Sequence, residues 1–293
     1  MIVGFSPAGG ADTAARLVAQ KLSENLGQPV VVENRPGASG SIATETVAKS
    51  RADGYTLLLL TVIGIVQAAM PAKLPYDLDL ERDFAPISLL GATRYLLVVH
   101  PSVPTRNVKE LIALARLQPG TLSYASSGMG SVAHLMAELF NSMAKVKIIQ
   151  VPYKGSGQYT VAIASGEVHM SFVSLPAVLP LLGAGKIRAL AIGSAKRSPL
   201  MPSIPTIDES GLPGYDMSGT WFGVVAPAGV PKDIIARLST VIGKVVNTPE
   251  MQESFNKRGI EPQTNTPEQF AAFIHSEIAL NTKLIRSIGM KAE

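Results

Sequence analysis

Two small-residue segments stand where helices are expected to begin, and they are the parts of this sequence best suited to hold a ligand. One is Pro-Ala-Gly-Gly at residues 7–10, and the other is Ser-Ser-Gly-Met-Gly-Ser at residues 126–131. Each follows a strand-like run and precedes a helix-like run, so it exposes the free backbone N–H groups of a helix N-terminus. Those donors and the helix dipole stabilise anions. The pattern predicts two anion cradles, although each segment taken alone is equally compatible with a simple tight turn.

Other ligand-binding and catalytic motifs are missing from the sequence. Neither segment matches a phosphate-binding loop or a dinucleotide fingerprint, since no Gly-Lys-Ser/Thr follows and the second Gly-Met-Gly runs into Ser-Val-Ala. No Gly-x-Ser-x-Gly nucleophile elbow occurs. His134 lies one turn after Ser131 and would be its only local base, but we expect a capping or packing role for it. No pair of carboxylates suggests acid–base catalysis, so the sequence predicts a protein that is not an enzyme.

The amino-acid composition limits the classes of ligand and partner that we expect. The chain has no cysteine, and none of its four histidines are spaced four residues apart as in a zinc-binding helix, so we expect neither a metal nor another cofactor. The 26 basic and 22 acidic residues are scattered, and the net charge of +4 suits an anionic ligand without forming the basic stripe that nucleic acid requires. The apolar runs are far shorter than the roughly 20 residues that span a bilayer.

The hydrophobic pattern predicts an α/β protein of two domains. Strand-like runs at 2–5, 30–33 and 56–60 alternate with helix-like runs, as in parallel β-α-β units. A second alternating series occupies the middle of the chain, and three helix-like runs follow it. Two apolar runs, 95–99 and 221–225, are expected to cross between the domains. We therefore predict one domain from residues 1–97 plus 225–293 and another from 98–224, with a hinge near 97–99 and 223–225 that closes the clamp on a ligand.

Seven motifs, in order and over essentially the whole chain, resemble the Bug or TctC-type receptors of tripartite tricarboxylate transporters. They are Phe-Ser-Pro-Ala-Gly-Gly-Ala-Asp-Thr-Ala-Ala-Arg at 5–16, Val-Glu-Asn-Arg-Pro-Gly-Ala-Ser-Gly at 32–40, Ala-Asp-Gly-Tyr at 52–55, Leu-Pro-Tyr-Asp at 74–77, Asp-Phe-Ala-Pro-Ile at 83–87, Val-Pro-Tyr-Lys-Gly at 151–155 and Trp-Phe-Gly-Val-Val-Ala-Pro at 221–227.

The resemblance implies a periplasmic solute-binding protein with the type II-like periplasmic-binding-protein fold, a two-domain clamp with crossing strands between the domains. We expect a monomer that captures a small carboxylate and delivers it to the membrane permease subunits of a transporter. The same clamp could instead report its ligand to a membrane signalling partner. The sequence shows no signal peptide, and we expect that such a segment is absent or already removed.

The resemblance also assigns the ligand-binding positions, which are Phe5, Ala8, Gly9, Gly10, Thr61, Val62, Ile63, Gly64, Ser126, Ser127, Gly128, Gly130, Ser131 and Ser174. The sequence departs from the family pattern at two places. Val62 and Ile63 are apolar where many relatives carry small polar residues, and His169 stands where the family often has Asp. Neither cradle contains Arg or Lys, which suits one carboxylate each better than a phosphate. An aromatic or medium-chain dicarboxylate, its middle covered by the apolar pair, is therefore our preferred ligand.

Overall fold

The computed structural model describes residues 1–5, 7, 9–69, 78–153 and 155–287. The chain divides into two compact units, unit 1 formed by Met1–Ala92 with Trp221–Glu293 and unit 2 formed by Thr93–Thr220. The predicted ligand residue Ala8 and the Leu-Pro-Tyr-Asp motif at 74–77 lie outside the described residues. None of the described helices combines the length and apolar character needed to cross a membrane.

The first part of unit 1 alternates strands and helices, as β1 (Ile2–Val3), α1 (Gly10–Leu26), β2 (Glu33–Asn34), α2 (Ser41–Ala48), β3 (Leu58–Thr61), α3 (Val62–Ala69) and the beginning of β4 (Phe84–Val99). Strand β1 pairs in parallel with both β2 and β3, which confirms the predicted β-α-β arrangement. Helix α1 buries small and branched side chains such as Ala14, Ala15 and Val18. It ends at Gly27, whose φ of 66° is favourable only for a residue without Cβ.

Unit 2 contains α4 (Val108–Leu117), β5 (Ser123–Ser126), α5 (Val132–Ala144), β6 (Ile149–Pro152), α6 (Ser156–Ser165), β7 (Met170–Ser174), α7 (Leu175–Gly183) and β8 (Arg188–Ile192). Strand β5 pairs in parallel with β6 and β7, while the second part of β4 pairs antiparallel with β7 and β8. The rings of Phe140, Phe172 and Tyr215 pack in the core with centroids 6.2–6.5 Å apart. The Tyr215 hydroxyl donates to the Met136 carbonyl at 2.8 Å, which satisfies this buried polar group.

The chain returns to unit 1 along β9 (Gly219–Pro227), followed by α8 (Lys232–Val246), α9 (Pro249–Asn256), β10 (Glu261–Pro262) and α10 (Pro267–Ser287). Strand β9 pairs antiparallel with β3, and β10 pairs antiparallel with β4. Helix α8 is strongly amphipathic and buries Leu238, Ile242 and Val246 in the unit 1 core. Thr248 caps α9 by accepting the Met251 N–H at 3.3 Å.

The two passages between the units lie at Ala92–Thr93 and at Thr220–Trp221. The boundaries predicted from the sequence, 97/98 and 224/225, fall a few residues later along both strands. Residues 97–99 are hydrogen-bonded to β7 and β8 inside unit 2, and residues 223–225 are paired with β3 inside unit 1. The predicted hinge segments are thus held by neighbouring strands, and the hinge itself stays a prediction.

Gly223 provides a test of how closely β9 is packed in unit 1. A Cβ atom at this position would overlap the Phe270 ring, whereas a Cβ at Gly243 on α8 would meet nothing within 4 Å. We expect Gly223→Ala to lower the free energy of unfolding by about 1–3 kcal/mol through overpacking. The matched variant Gly243→Ala should raise it by roughly 0.5–1 kcal/mol, because a helical glycine is entropically costly. Denaturant titrations followed by the fluorescence of Trp221 would measure both, and an unchanged midpoint for Gly223→Ala would contradict the packing described here.

Candidate functional site

The first candidate region, called half-site 1, comprises the carboxyl ends of β1 and β3 with the helix starts that follow them. Because β1 and β3 are parallel neighbours, their carboxyl ends share one edge of the sheet. Gly9 is the N-cap of α1 and Gly10 its first residue, and both are exposed. The first intrahelical bond runs from the Thr13 N–H to the Gly9 carbonyl at 2.9 Å, and no side chain caps this helix start. The turn is therefore suited to an external acceptor.

A buried polar network holds the loop of half-site 1 in place. Asp12 is only 3% exposed, and its carboxylate accepts from Arg16 Nε at 2.9 and 3.0 Å and from Asn34 Nδ2 at 2.9 Å. Asn34 Nδ2 also donates to the Phe5 carbonyl at 3.0 Å, and its Oδ1 accepts from Arg16 at 2.9 Å. The network thus ties the end of β1 to the first turn of α1. This role of Asp12 was not predicted, although an Asp in the first turn followed by an Arg four residues later is a recognisable signal.

Thr61 ends β3 with a hydroxyl that has no hydrogen-bond partner in the described part of the chain. The residue is 4% exposed, and leaving a buried hydroxyl unpaired costs about 1–3 kcal/mol. A small cavity of about 10 Å³, lined by Phe5, Thr61 and Gly64 among others, adjoins it and has about the space of one water. An unsatisfied donor at this edge is a natural contact for a water or a ligand oxygen.

Helix α3 begins directly after Thr61, a second helix start at the same edge that the sequence analysis did not foresee. Of the predicted residues here, Val62 is 2% exposed, whereas Ile63 and Gly64 are half-buried. The Val62 side chain is thus buried, and Ile63 is the more accessible member of the apolar pair. That this pair covers a bound ligand stays a prediction.

The second candidate region, called half-site 2, lies at the carboxyl ends of the parallel strands β5 and β7. Ser131 caps α5, accepting the His134 N–H at 3.3 Å and donating its hydroxyl to the Gly128 carbonyl at 2.7 Å. Ser126 is fully buried, and its Oγ accepts from the Gly128 N–H at 3.2 Å and from Gln150 Nε2 at 2.8 Å. These two hydroxyls are therefore engaged within the loop and shape it. The supporting role of Gln150 was not predicted.

His134 fixes the same loop from the helix side. Its Nδ1 accepts the Gly130 N–H at 3.2 Å, which requires that nitrogen to be unprotonated. Burial lowers the pKa of His134, and the nearby Glu138 opposes this only in part. The Ser131 hydroxyl bonds to a backbone carbonyl, so the geometry is that of a capped loop and not of a nucleophile with its base.

The exposed part of half-site 2 is mostly backbone. Ser127 is exposed, and Gly128 and Gly130 have φ values of 98° and 73°, in the left-handed region that strains any residue with a Cβ. Met129 stands between the glycines and is 54% exposed. Ser174 is the N-cap of α7, but its side chain makes no capping bond. Since the N–H groups of Gly128, Gly130 and Ser131 are bonded within the loop, this edge offers a ligand the Ser127 and Ser174 hydroxyls and the first-turn N–H groups of α5.

His169 lies at the opposite edge of the unit 2 sheet. Its Nδ1 accepts the Ser123 N–H at 3.0 Å, where β5 begins and not where it ends. The side chain therefore fastens β7 to β5 and takes no part in half-site 2. Across the described residues, His, Asp and Glu side chains form no group of three that could hold a metal ion.

Comparisons with known proteins agree with this architecture. Residues 14–290 match the family model of the tripartite tricarboxylate transporter family receptor, TctC. The chain is 40% identical to protein BugT of Bordetella pertussis, over 99% of this chain and 89% of that protein.

Two solved structures share the fold closely. The R. palustris protein Rpa4515 with adipate has 39% sequence identity and a TM-score of 0.84, covering 98% of this chain and 96% of that one. MatC from Rhodopseudomonas palustris with bound malate has 29% identity and a TM-score of 0.80, covering 97% of each chain. With a family model that spans nearly all of its length and full-length relatives of this similarity, the chain belongs to the TctC family of solute-binding receptors.

Proposed function

We propose that this protein captures a medium-chain dicarboxylate in the periplasm and delivers it, as a monomer, to the permease subunits of a tripartite tricarboxylate-type transporter. Half-site 1 and half-site 2 each recognise one carboxylate of the ligand. The proposal rests on a single observation, the presence in each unit of a small-residue loop that places an α-helix start at the carboxyl edge of a parallel sheet.

The chemistry of the two half-sites favours carboxylates over more highly charged anions. Arg16, the nearest cation along the first loop, is already paired with Asp12, and no Lys or Arg occurs within residues 126–131. A helix start provides several N–H donors and about half a positive charge, which suits one carboxylate better than a phosphate dianion. Two such half-sites suit a ligand with two separated carboxylates.

The relatives support the same ligand class. Rpa4515 has been solved with adipate and MatC with malate, both dicarboxylates. Adipate is the better starting candidate, since Rpa4515 has the higher sequence identity and its ligand has an apolar middle that the half-buried Ile63 could contact. Delivery to a permease and residence in the periplasm are carried over from the family to which the chain belongs.

Charge reversal at the two loops tests whether both bind the ligand. Gly10 has no positive φ, and a Cβ there would come no closer than 3.4 Å to Phe222, so a side chain fits. Ser127 is exposed and carries no such strain. We expect Gly10→Asp and Ser127→Asp each to weaken adipate binding about 10- to 100-fold relative to Gly10→Asn and Ser127→Asn, since only the Asp variants repel a carboxylate.

Isothermal titration calorimetry would give these affinities, with circular dichroism to check that each variant is folded. The Asn variants are the matched controls, because they add almost the same volume without charge. Equal affinities for the Asp and Asn variants at one position would show that the loop does not bind the ligand. Gly128 is unsuitable for this test because its positive φ would add backbone strain to the effect of charge.

The number of carboxylates that the protein recognises can be tested by altering the ligand instead of the protein. Hydrogen bonds to charged groups contribute about 1.5–3 kcal/mol, so converting one carboxylate of adipate to an amide should weaken binding roughly 10- to 150-fold. Ser127→Asp should then discriminate less between adipate and the monoamide than the unaltered protein does. Equal affinity of the unaltered protein for adipate and its monoamide would show that a single carboxylate is recognised, and the proposal would reduce to a monocarboxylate receptor.

A further inference from the structure

Unit 2 has a cavity at the edge of its sheet that lies away from half-site 2. This cavity, called the outer pocket, has a volume of about 470 Å³, and its lining includes Val103, Pro104, Thr105, Arg106, Glu110 and Arg188. Strand β4 ends beside it at Val99, which pairs with Met170 at the start of β7 and with Arg188 at the start of β8. Half-site 2 occupies the other end of β7. A ligand in the outer pocket would not compete for the same groups.

Thr105 is the clearest sign that the outer pocket takes a polar ligand. The residue is 1% exposed, and its hydroxyl has no hydrogen-bond partner among the described residues. Its carbonyl, in contrast, accepts a bond from Arg188 Nη1 at 2.7 Å. A buried hydroxyl that stays unpaired is uncommon and costs stability, so it calls for an explanation.

The charged groups of the outer pocket leave one positive charge unbalanced. Arg188 is held by the carbonyls of Val103 and Thr105, and neither it nor the exposed Arg106 forms an ion pair within the described part of the chain. Glu110 is the acidic residue of the lining, and its two oxygens accept from the Arg106 N–H at 2.6 Å and from Asn107 Nδ2 at 2.7 Å. Two guanidinium groups against one carboxylate leave a net charge of about +1.

We propose that the outer pocket is a second binding site, which takes an organic monocarboxylate. A ligand with one negative charge neutralises the net positive charge of the pocket, whereas a phosphate dianion would make the net charge negative. Val103 and Pro104 supply apolar wall for an organic body, and the volume lies within the usual range of small-molecule sites. The guanidinium groups of Arg106 and Arg188 bind the carboxylate, and a local rearrangement on binding gives the buried Thr105 hydroxyl an acceptor.

Benzoate is a suitable probe, with benzamide as its neutral isostere. Nuclear magnetic resonance of methyl-labelled valine and threonine would report binding locally at Val103 and Thr105. We expect benzoate to shift both signals saturably, in Ser127→Asp protein as well as in the unaltered protein, and benzamide to shift neither. Arg106→Gln, a change of an exposed side chain, should weaken the benzoate affinity about tenfold or more.

Thr105→Val separates this proposal from a purely structural role of the threonine. Replacing an unpaired buried hydroxyl by a methyl group should raise the denaturation midpoint of the ligand-free protein, and the same change should weaken benzoate binding about fivefold or more. An absence of saturable shifts at Val103, equal shifts with benzamide, or unchanged benzoate affinity in Thr105→Val would each overturn the proposal. None of these results bears on the dicarboxylate binding proposed for the half-sites, which Ser127→Asp and Gly10→Asp test separately.

Discussion

A loop can present backbone N–H groups to an anion only if something other than the anion holds that loop in shape. Both half-sites meet this constraint with side chains that lie behind the loop. In unit 1 the Asp12 carboxylate and the Asn34 amide fasten the end of β1 to α1. In unit 2 the Ser126 hydroxyl and the His134 imidazole accept the N–H groups of Gly128 and Gly130. Preorganisation of this kind lowers the ordering cost when a ligand binds.

The same constraint explains why the supporting groups are neutral or internally paired. A free cation behind either loop would attract an anion to the wrong side, and a free carboxylate would repel the ligand. Asp12 is balanced by Arg16, and burial lowers the pKa of His134, which favours the neutral imidazole. What remains at each edge is the partial positive charge of a helix start, together with uncommitted hydroxyls such as that of Thr61.

Local sequence patterns were sufficient to predict much of the fold. The parallel units, the proline-initiated α8 and α9 and the glycine loops before α1 and α5 were all recognisable, because each depends on residues close together in sequence. Helix α7, with its almost wholly apolar sequence and internal proline, has no helical periodicity and was missed. The passages at 92–93 and 220–221 depend on which strands pair across long separations. Gln150 supports Ser126 from 24 residues away, a contact for which a single sequence provides no signal.

Recognition through backbone donors, as proposed for the two half-sites, would leave the choice among ligands to other groups. The N–H groups of α1 and α5 would bind the carboxylates of many acids equally well, because they contact only the charged ends. Selection among ligands of different length and polarity must come from side chains that remain accessible beside those ends. On the described surface these include Ile63 near half-site 1, and Ser127, Met129 and Ser174 near half-site 2. The apolar Ile63 and Met129 would remove water from a ligand hydroxyl without providing a hydrogen bond in its place, so we infer a preference for adipate over hydroxylated acids such as malate.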